Sequence, residues 1–80
     1  MEVGLTGSLR SAAGGAATVE IEAETIRELI SRLVARYPEM SNQLDAGIAV
    51  SINGEIYRDN RREKIPQGAE VFLLPRIPGG

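Results

Sequence analysis

The chain has 80 residues, enough for one small domain. It contains no cysteine and no histidine, which excludes disulfides, thiolate catalysis, cysteine-bound metal clusters and every Ser-His-Asp arrangement. Nine basic and eleven acidic residues give a net charge of −2, which disfavours nucleic acid as the main partner. The composition therefore argues against a self-sufficient enzyme and predicts no metal site.

No apolar run of the sequence approaches the length that spans a bilayer. The N-terminus lacks the charged start and long apolar centre of a signal peptide. We therefore expect no membrane partner and a cytoplasmic location.

The first quarter of the chain predicts two strands. Residues 2–9 read as the first strand, because their apolar residues fall on one face. Residues 11–17 are small and turn-prone, which predicts a hairpin loop. Alternation over residues 18–22 predicts a second strand with one face in water. The apolar residues of this region are Val3, Leu5, Leu9, Val19 and Ile21.

Helical spacing of apolar residues begins at Thr25 and predicts one amphipathic helix. Thr25 followed three residues later by Glu28 fits a capping box at the helix start. Pro38 disfavours helix at Tyr37 and ends the segment. The apolar stripe consists of Ile26, Leu29, Ile30, Leu33, Val34 and Tyr37.

The second half of the chain predicts an irregular segment followed by three strands. Residues 38–47 read as irregular, with Met40 and Leu44 holding them to the core. A strand begins at Ile48, and Asn53-Gly54 predicts a tight hairpin to a short return strand. The remaining features are the return strand with Ile56 and Tyr57, a charged loop over residues 58–64, a turn with Pro66 and Gly68, and a last strand over residues 70–74.

These elements predict an α+β fold in which a mixed sheet of four to five strands packs on one main helix. We expect residues 1–75 to form this domain. Residues 76–80 are expected to form a flexible C-terminal tail, because prolines and glycines offer no regular structure there. The tail ends in Pro78-Gly79-Gly80. Because glycine has no side chain, the backbone at this end is narrow and unshielded. Its one reactive group is the α-carboxylate of Gly80.

Three segments carry a family resemblance that covers nearly the whole chain. They are TVEIEAET (18–25) with the helix that follows it, VSINGEIY (50–57) and IPQGAEVFLLPRIPGG (65–80). With these segments the sequence resembles the ubiquitin-like β-grasp sulfur carriers of the MoaD/ThiS type, which include the small subunit of molybdopterin synthase. One departure is the turn Gly68-Ala69-Glu70-Val71, which lacks the aspartate usual in the family.

The resemblance implies a function for the tail. An ATP-using, E1-like enzyme would adenylate the carboxylate of Gly80, and a sulfur donor would convert it to a thiocarboxylate. Gly79, Pro78, Ile77 and Arg76 would give the tail access to the partner's active site. The carrier would bind no cofactor of its own, since the ATP belongs to the adenylating enzyme. The sulfur acceptor would be a synthase, with the large subunit of molybdopterin synthase as first choice over thiazole and cysteine pathways.

The last strand also predicts a docking surface. If Val71 and Leu73 face the helix, Phe72 and Leu74 face outward, and Ala49 falls on the same outer face. An exposed apolar spot beside the tail suits partner docking. The alternative is ordinary surface exposure, or the reverse assignment with Phe72 in the core.

Two other functions start from the same sequence. The chain could be a protein modifier whose activated Gly80 is joined to lysine amines. It could instead be an interaction module whose tail is inert. Intact masses and Gly-Gly remnants on lysines distinguish a sulfur carrier from a protein modifier. Deletion of Gly79 and Gly80 identifies an interaction module, because an inert tail predicts no loss of function.

Overall fold

The computed structural model describes residues 1–58 and 60–75, without the side chains of residues 45 and 46. These residues contain five strands, which form a single mixed sheet in the order β2-β1-β5-β3-β4. Strands β1 and β5 are parallel, and the other neighbours are antiparallel. The elements are β1 (Glu2–Leu5), α1 (Ser8–Ala12), β2 (Thr18–Glu20), α2 (Ile26–Arg36), α3 (Met40–Ala46), β3 (Ile48–Ile52), β4 (Glu55–Tyr57) and β5 (Val71–Pro75). The predicted α+β, β-grasp class is confirmed.

One face of the sheet carries the core. Helix α2 packs its apolar stripe on this inner face, and a single cluster of buried side chains joins the helix to the central strands. Burying such apolar area is the main favourable term in folding. The fully buried large side chains are Leu5, Leu9, Leu29, Leu33, Met40, Leu73, Val3, Val50 and Val71.

Helix α2 begins and ends where the sequence predicts. The Thr25 side chain accepts a hydrogen bond from the Glu28 N–H at 3.2 Å. The Glu28 carboxylate accepts from the N–H of Glu24 at 3.0 Å, one residue before the expected partner in a capping box. The helix ends at Arg36, directly before Tyr37 and Pro38.

The charged loop completes this helix start. The N–H groups of Ile26 and Arg27 donate to the backbone carbonyls of Glu63 and Arg61, at 3.0 and 2.9 Å. The first N–H groups of a helix lack partners within it, so these carbonyls satisfy donors that would otherwise need water. The loop is therefore a structural part of the fold as well as a charged surface.

The prediction of one strand over residues 2–9 is wrong beyond Leu5. Gly7 adopts a φ of 55°, and helix α1 starts at the next residue. Leu9 reaches the core from this helix and not from a strand. The predicted hairpin loop over residues 11–17 is correspondingly shortened, because its first residues belong to α1. Leu9 is the one large apolar residue of α1, and its odd-numbered position continued the alternation of Val3 and Leu5.

The prediction of irregular structure over residues 38–47 is also wrong, because Met40–Ala46 form α3. Ser41 and Asn42 are poor helix formers, so local propensity did not indicate this helix. The anchoring roles are confirmed, since Met40 is fully buried and Leu44 packs against the core. Tertiary packing thus stabilises a helix that the sequence pattern alone does not mark.

The hairpin between β3 and β4 agrees with its prediction. Asn53 has a φ of 51° and Gly54 a φ of 88°, the conformations that a two-residue hairpin needs. The Asn53 side chain accepts a hydrogen bond from the Glu70 N–H at 2.9 Å, and the Asn53 N–H donates to the Glu70 carbonyl at 2.8 Å. The hairpin is therefore tied to the start of β5, and this pairing sets the register of the sheet.

Candidate docking face at the base of the C-terminal tail

The residues predicted to carry the chemistry lie at the C-terminus. Gly80, Gly79, Pro78, Ile77 and Arg76 all fall outside the described residues. The structure describes the strand that leads to them, which ends at Pro75. The geometry of the candidate site is therefore that of β5 and its neighbours.

Alternation along β5 agrees with the prediction. Val71 and Leu73 are buried against the helix, while Phe72 faces outward with 39% of its surface exposed. Leu74 is half-buried and pairs with Ala49 on β3. The reverse assignment, with Phe72 in the core, is excluded. The structure thus brings Phe72, Leu74 and Ala49 together on the outer face.

A row of residues crosses the outer face of the sheet at the level of Phe72. Gly4 and Ser51 are the direct partners of Phe72 on the two neighbouring strands. Ser51 in turn pairs with Ile56, and Gly4 pairs with Thr18. Directly paired residues in a sheet point to the same face, so these five residues form one continuous row.

Ile56 is a second exposed apolar side chain of this row, with 50% of its surface accessible. Among the described residues, the exposed large apolar side chains are those of Ile56 and Phe72. The sequence pattern predicts Ile56 on the return strand without assigning it to a face. The two-residue Asn53-Gly54 turn could have done so, because it pairs Ser51 with Ile56 by register. We call Phe72, Ser51, Ile56, Leu74 and Ala49 the docking face.

The strand end that carries the tail is held on the side of β1. The Thr6 hydroxyl donates a hydrogen bond to the Leu73 carbonyl at 3.0 Å. Gly7 lies so close to Pro75 that a Cβ at position 7 would come within 3.1 Å of the proline Cγ. The end of β5 is therefore fixed beside the docking face, and the chain continues from there into residues 76–80.

The charged side chains of the described residues line a surface depression and form no metal-binding cluster. Within residues 1–58 and 60–75, no three His, Cys, Asp or Glu side chains converge to hold a metal ion. A surface depression lies beside the start of α2. It is lined by Asn60 and by three arginines, which are Arg27, Arg61 and Arg62. None of the described helices has the length and apolar character needed to cross a membrane.

A hydrogen bond on β4 raises the pKa of Tyr57, the residue that follows Ile56 of the docking face. The Tyr57 hydroxyl donates to the Glu55 carboxylate at 2.8 Å, and this bond, with smaller contributions from desolvation and nearby charge, holds the pKa of Tyr57 above its ordinary 10.0. A raised tyrosine pKa stabilises the fold below pH 10, and this stabilisation is lost as the pH rises through the folded-state pKa.

We therefore expect Glu55→Gln to lower the pKa of Tyr57 toward 10, because the negative charge that opposes tyrosinate is removed. The chain has two tyrosines, so a Tyr37→Phe background leaves Tyr57 as the single chromophore of its kind. The ultraviolet absorbance of tyrosinate, followed with pH, measures the shift. An unchanged titration curve in Glu55→Gln would contradict the assigned hydrogen bond.

Solved structures share this fold over almost their whole length. A complex of BexX and CysO from Amycolatopsis orientalis contains a chain with a TM-score of 0.78 and 24% identity, covering 99% of this chain and 98% of that chain. The small archaeal modifier protein 1 of Methanosarcina acetivorans has a TM-score of 0.76 and 24% identity, covering 99% and 94%. A complex of subunits 1 and 2 of the molybdopterin-converting factor from Helicobacter pylori contains a chain with a TM-score of 0.68 and 23% identity, covering 99% and 96%.

At these identities the solved structures establish the fold alone. A search of curated proteins finds no significant match. The sequence itself matches the ThiS family over residues 3–80, a range that includes all the described strands and helices except the first residue of β1, and also the Gly-Gly end. The chain therefore belongs to the ThiS family.

Proposed function

We propose that the protein is a sulfur carrier whose reactive atom is the terminal carbonyl carbon of Gly80. The observation that supports this most is the extent of the family match, which runs through residue 80 and so includes the Gly79-Gly80 ending. The docking face supports it further, because exposed Phe72 lies on the strand that leads to that ending and exposed Ile56 lies two strands away on the same face. The proposed role needs no catalytic residue in the chain, since the partner enzyme supplies the chemistry.

The proposed reaction has two steps. The Gly80 carboxylate attacks the α-phosphorus of ATP on an E1-like enzyme, and pyrophosphate leaves. A sulfide equivalent then attacks the carbonyl carbon of the acyl-adenylate, and AMP leaves with the bonding electron pair. The first step turns a carboxylate oxygen, which is a poor leaving group, into part of AMP, which is a good one. The second step leaves a nucleophilic sulfur on Gly80.

The acceptor in this proposal is a synthase that takes the sulfur from Gly80, with the molybdopterin branch as the first candidate. In a complex of subunits 1 and 2 of the molybdopterin-converting factor, one chain shares this fold over 96% of its length. The modifier function is the second candidate, supported by the likeness to a small archaeal modifier protein. Gly-Gly remnants on lysines of cell proteins distinguish a modifier from a carrier.

The test uses the E1-like enzyme of the source organism, ATP and sodium sulfide. We expect the intact mass of the protein to rise by about 16 Da, the difference between sulfur and oxygen. Deletion of Gly80 abolishes the gain. The matched control is Gly14→Asn, since a side chain at Gly14 meets open space and asparagine tolerates its φ of 71°. A protein that gains no mass, or gains it without Gly80, contradicts the proposal.

A further inference from the structure

The charged loop and the start of α2 form a basic surface on the helix side of the sheet. Residues 58–64 hold four of the nine basic residues of the chain, which are Arg58, Arg61, Arg62 and Lys64. Arg27, in the first turn of α2, joins them. Arg27, Arg61 and Arg62 line one depression of about 280 Å³ together with Asn60. We call this hollow, formed by those four residues, the arginine depression.

Backbone hydrogen bonds hold the arginine depression in place. The Arg27 N–H donates to the Arg61 carbonyl at 2.9 Å, so the two arginines are joined through their main chains. At the far end of the loop, the Ile65 N–H donates to the Glu24 carbonyl at 2.8 Å. The backbone that carries the arginines is therefore fixed to the helix start before a ligand arrives, which lowers the entropy cost of binding.

The surface around the depression has an excess of positive charge. Residues 58–64 and Arg27 together contain five basic and two acidic residues, a net charge of +3. One of the two acidic residues, Glu63, accepts a hydrogen bond from the Asn60 amide at 3.1 Å. In the part of the chain that the structure describes, the ion pairs of carboxylates involve the N-terminal amine and Arg32, and none involves the three arginines of the depression. An anion that enters the depression thus meets three guanidinium groups.

The donors and the shape of the depression favour a small anion with two phosphoryl groups. A guanidinium presents its N–H groups as a fork that matches the oxygens of phosphate. Three such forks offer more donors than one carboxylate can accept, whereas two linked phosphoryl groups have oxygens for all of them. A nucleic-acid strand needs a basic groove that follows its backbone, and this chain offers one hollow and a net charge of −2.

We propose that the arginine depression binds a diphosphate group, whose oxygens accept hydrogen bonds from Arg27, Arg61 and Arg62. The inference goes beyond the proposed function and does not depend on it, because no residue of the docking face or of the tail takes part. Inorganic pyrophosphate and the terminal group of a nucleoside diphosphate offer the same chemistry, so both serve as probes.

The test is an NMR titration of the full chain with sodium pyrophosphate at low ionic strength, where charge attraction is least screened. We expect saturable shifts of the backbone amides of residues 27 and 60–62. Arg61→Gln should raise Kd about fivefold or more, because it removes a charged donor. The substitution keeps the Arg61 carbonyl that accepts from the Arg27 N–H, so the loop stays attached to α2.

The matched control is Arg36→Gln, which removes the same charge from the other end of α2. Nine residues separate Arg36 from Arg27, a distance of about 14 Å along the helix. We expect Kd to change less than about twofold in this variant, because screening weakens a charge at that distance. Arg62→Gln is the second test variant and should raise Kd as Arg61→Gln does, so the result does not rest on one substitution.

Two further anions define the ligand class. Citrate carries several carboxylates but no phosphoryl group, and we expect it to bind more weakly than pyrophosphate at equal ionic strength. ADP that binds as tightly as pyrophosphate would assign the depression to nucleoside diphosphates as well, and weaker binding of ADP would restrict it to the inorganic ion. Either result for ADP supports a diphosphate site.

Three results would overturn the inference. The first is the absence of saturable shifts at residues 27 and 60–62. The second is an equal rise in Kd for Arg36→Gln and Arg61→Gln, which would mean that only the total charge of the protein matters. The third is citrate binding as tightly as pyrophosphate. Failure of the protein to be adenylated at Gly80 would leave this inference standing, since the two sites share no residue.

Discussion

Phe72→Ala is expected to raise KM for the carrier in adenylation by about 30-fold or more, with kcat unchanged. A buried aromatic anchor at the centre of an interface contributes about 2 kcal/mol or more, and each 1.4 kcal/mol corresponds to a tenfold change. Phe72 faces outward with 39% of its surface exposed, so its truncation leaves the buried core on the other face of the sheet intact. ATP–pyrophosphate exchange at varied carrier concentration gives KM and kcat separately.

The matched control is Val34→Ala, which shortens a half-buried side chain of α2 on the opposite side of the sheet. We expect KM close to that of the wild type for this variant. A similar rise in KM for both variants would mean that the assay reports general destabilisation. An unchanged KM for Phe72→Ala would show that the enzyme approaches another face of the domain.

Leu33→Ala is expected to lower the free energy of unfolding by about 3 kcal/mol. Leu33 is fully buried between α2 and the sheet, and truncating such a leucine loses transfer free energy and leaves a cavity. An 80-residue domain has a total stability of about 4–12 kcal/mol, so this loss removes a large share of it. Urea denaturation followed by circular dichroism measures the change.

Ile56→Ala serves as the control for this measurement, since Ile56 is half exposed on the outer face. Its truncation should change stability by less than about 0.5 kcal/mol, as for other surface positions. Equal losses in the two variants would contradict the assignment of Ile56 to the outer face. The pair therefore checks which side of the sheet holds the core.

Features with a local cause could be predicted from the sequence. Thr25 and Glu28 mark the start of α2 within one turn, and Pro38 marks its end. Asn53-Gly54 specifies its hairpin because few residue pairs accept two positive φ angles. The alternation of Phe72 and Leu73 assigned the two faces of β5 correctly. In each case the determining interaction lies within a few residues of the chain.

Features that depend on tertiary packing could not be predicted from the sequence. Helices α1 and α3 have five and seven residues, too short to be stable alone, and they form because Leu9 and Met40 are buried in the core. The contact between Gly4 and Phe72 depends on the parallel pairing of the first and last strands. No local pattern indicates which glycine will lie beneath an aromatic ring. The site at Gly80 was predicted from the family resemblance and remains a prediction.

The most direct test of the central claim locates the sulfur within the chain. After incubation with ATP, sodium sulfide and the E1-like enzyme, the protein is cleaved with trypsin, which cuts after Arg76 and releases the peptide Ile77–Gly80. We expect this peptide to carry the whole gain of about 16 Da, because the Gly80 carboxylate has exchanged oxygen for sulfur. A gain on any other peptide, or an unmodified terminal peptide from a fully adenylated protein, would contradict the account.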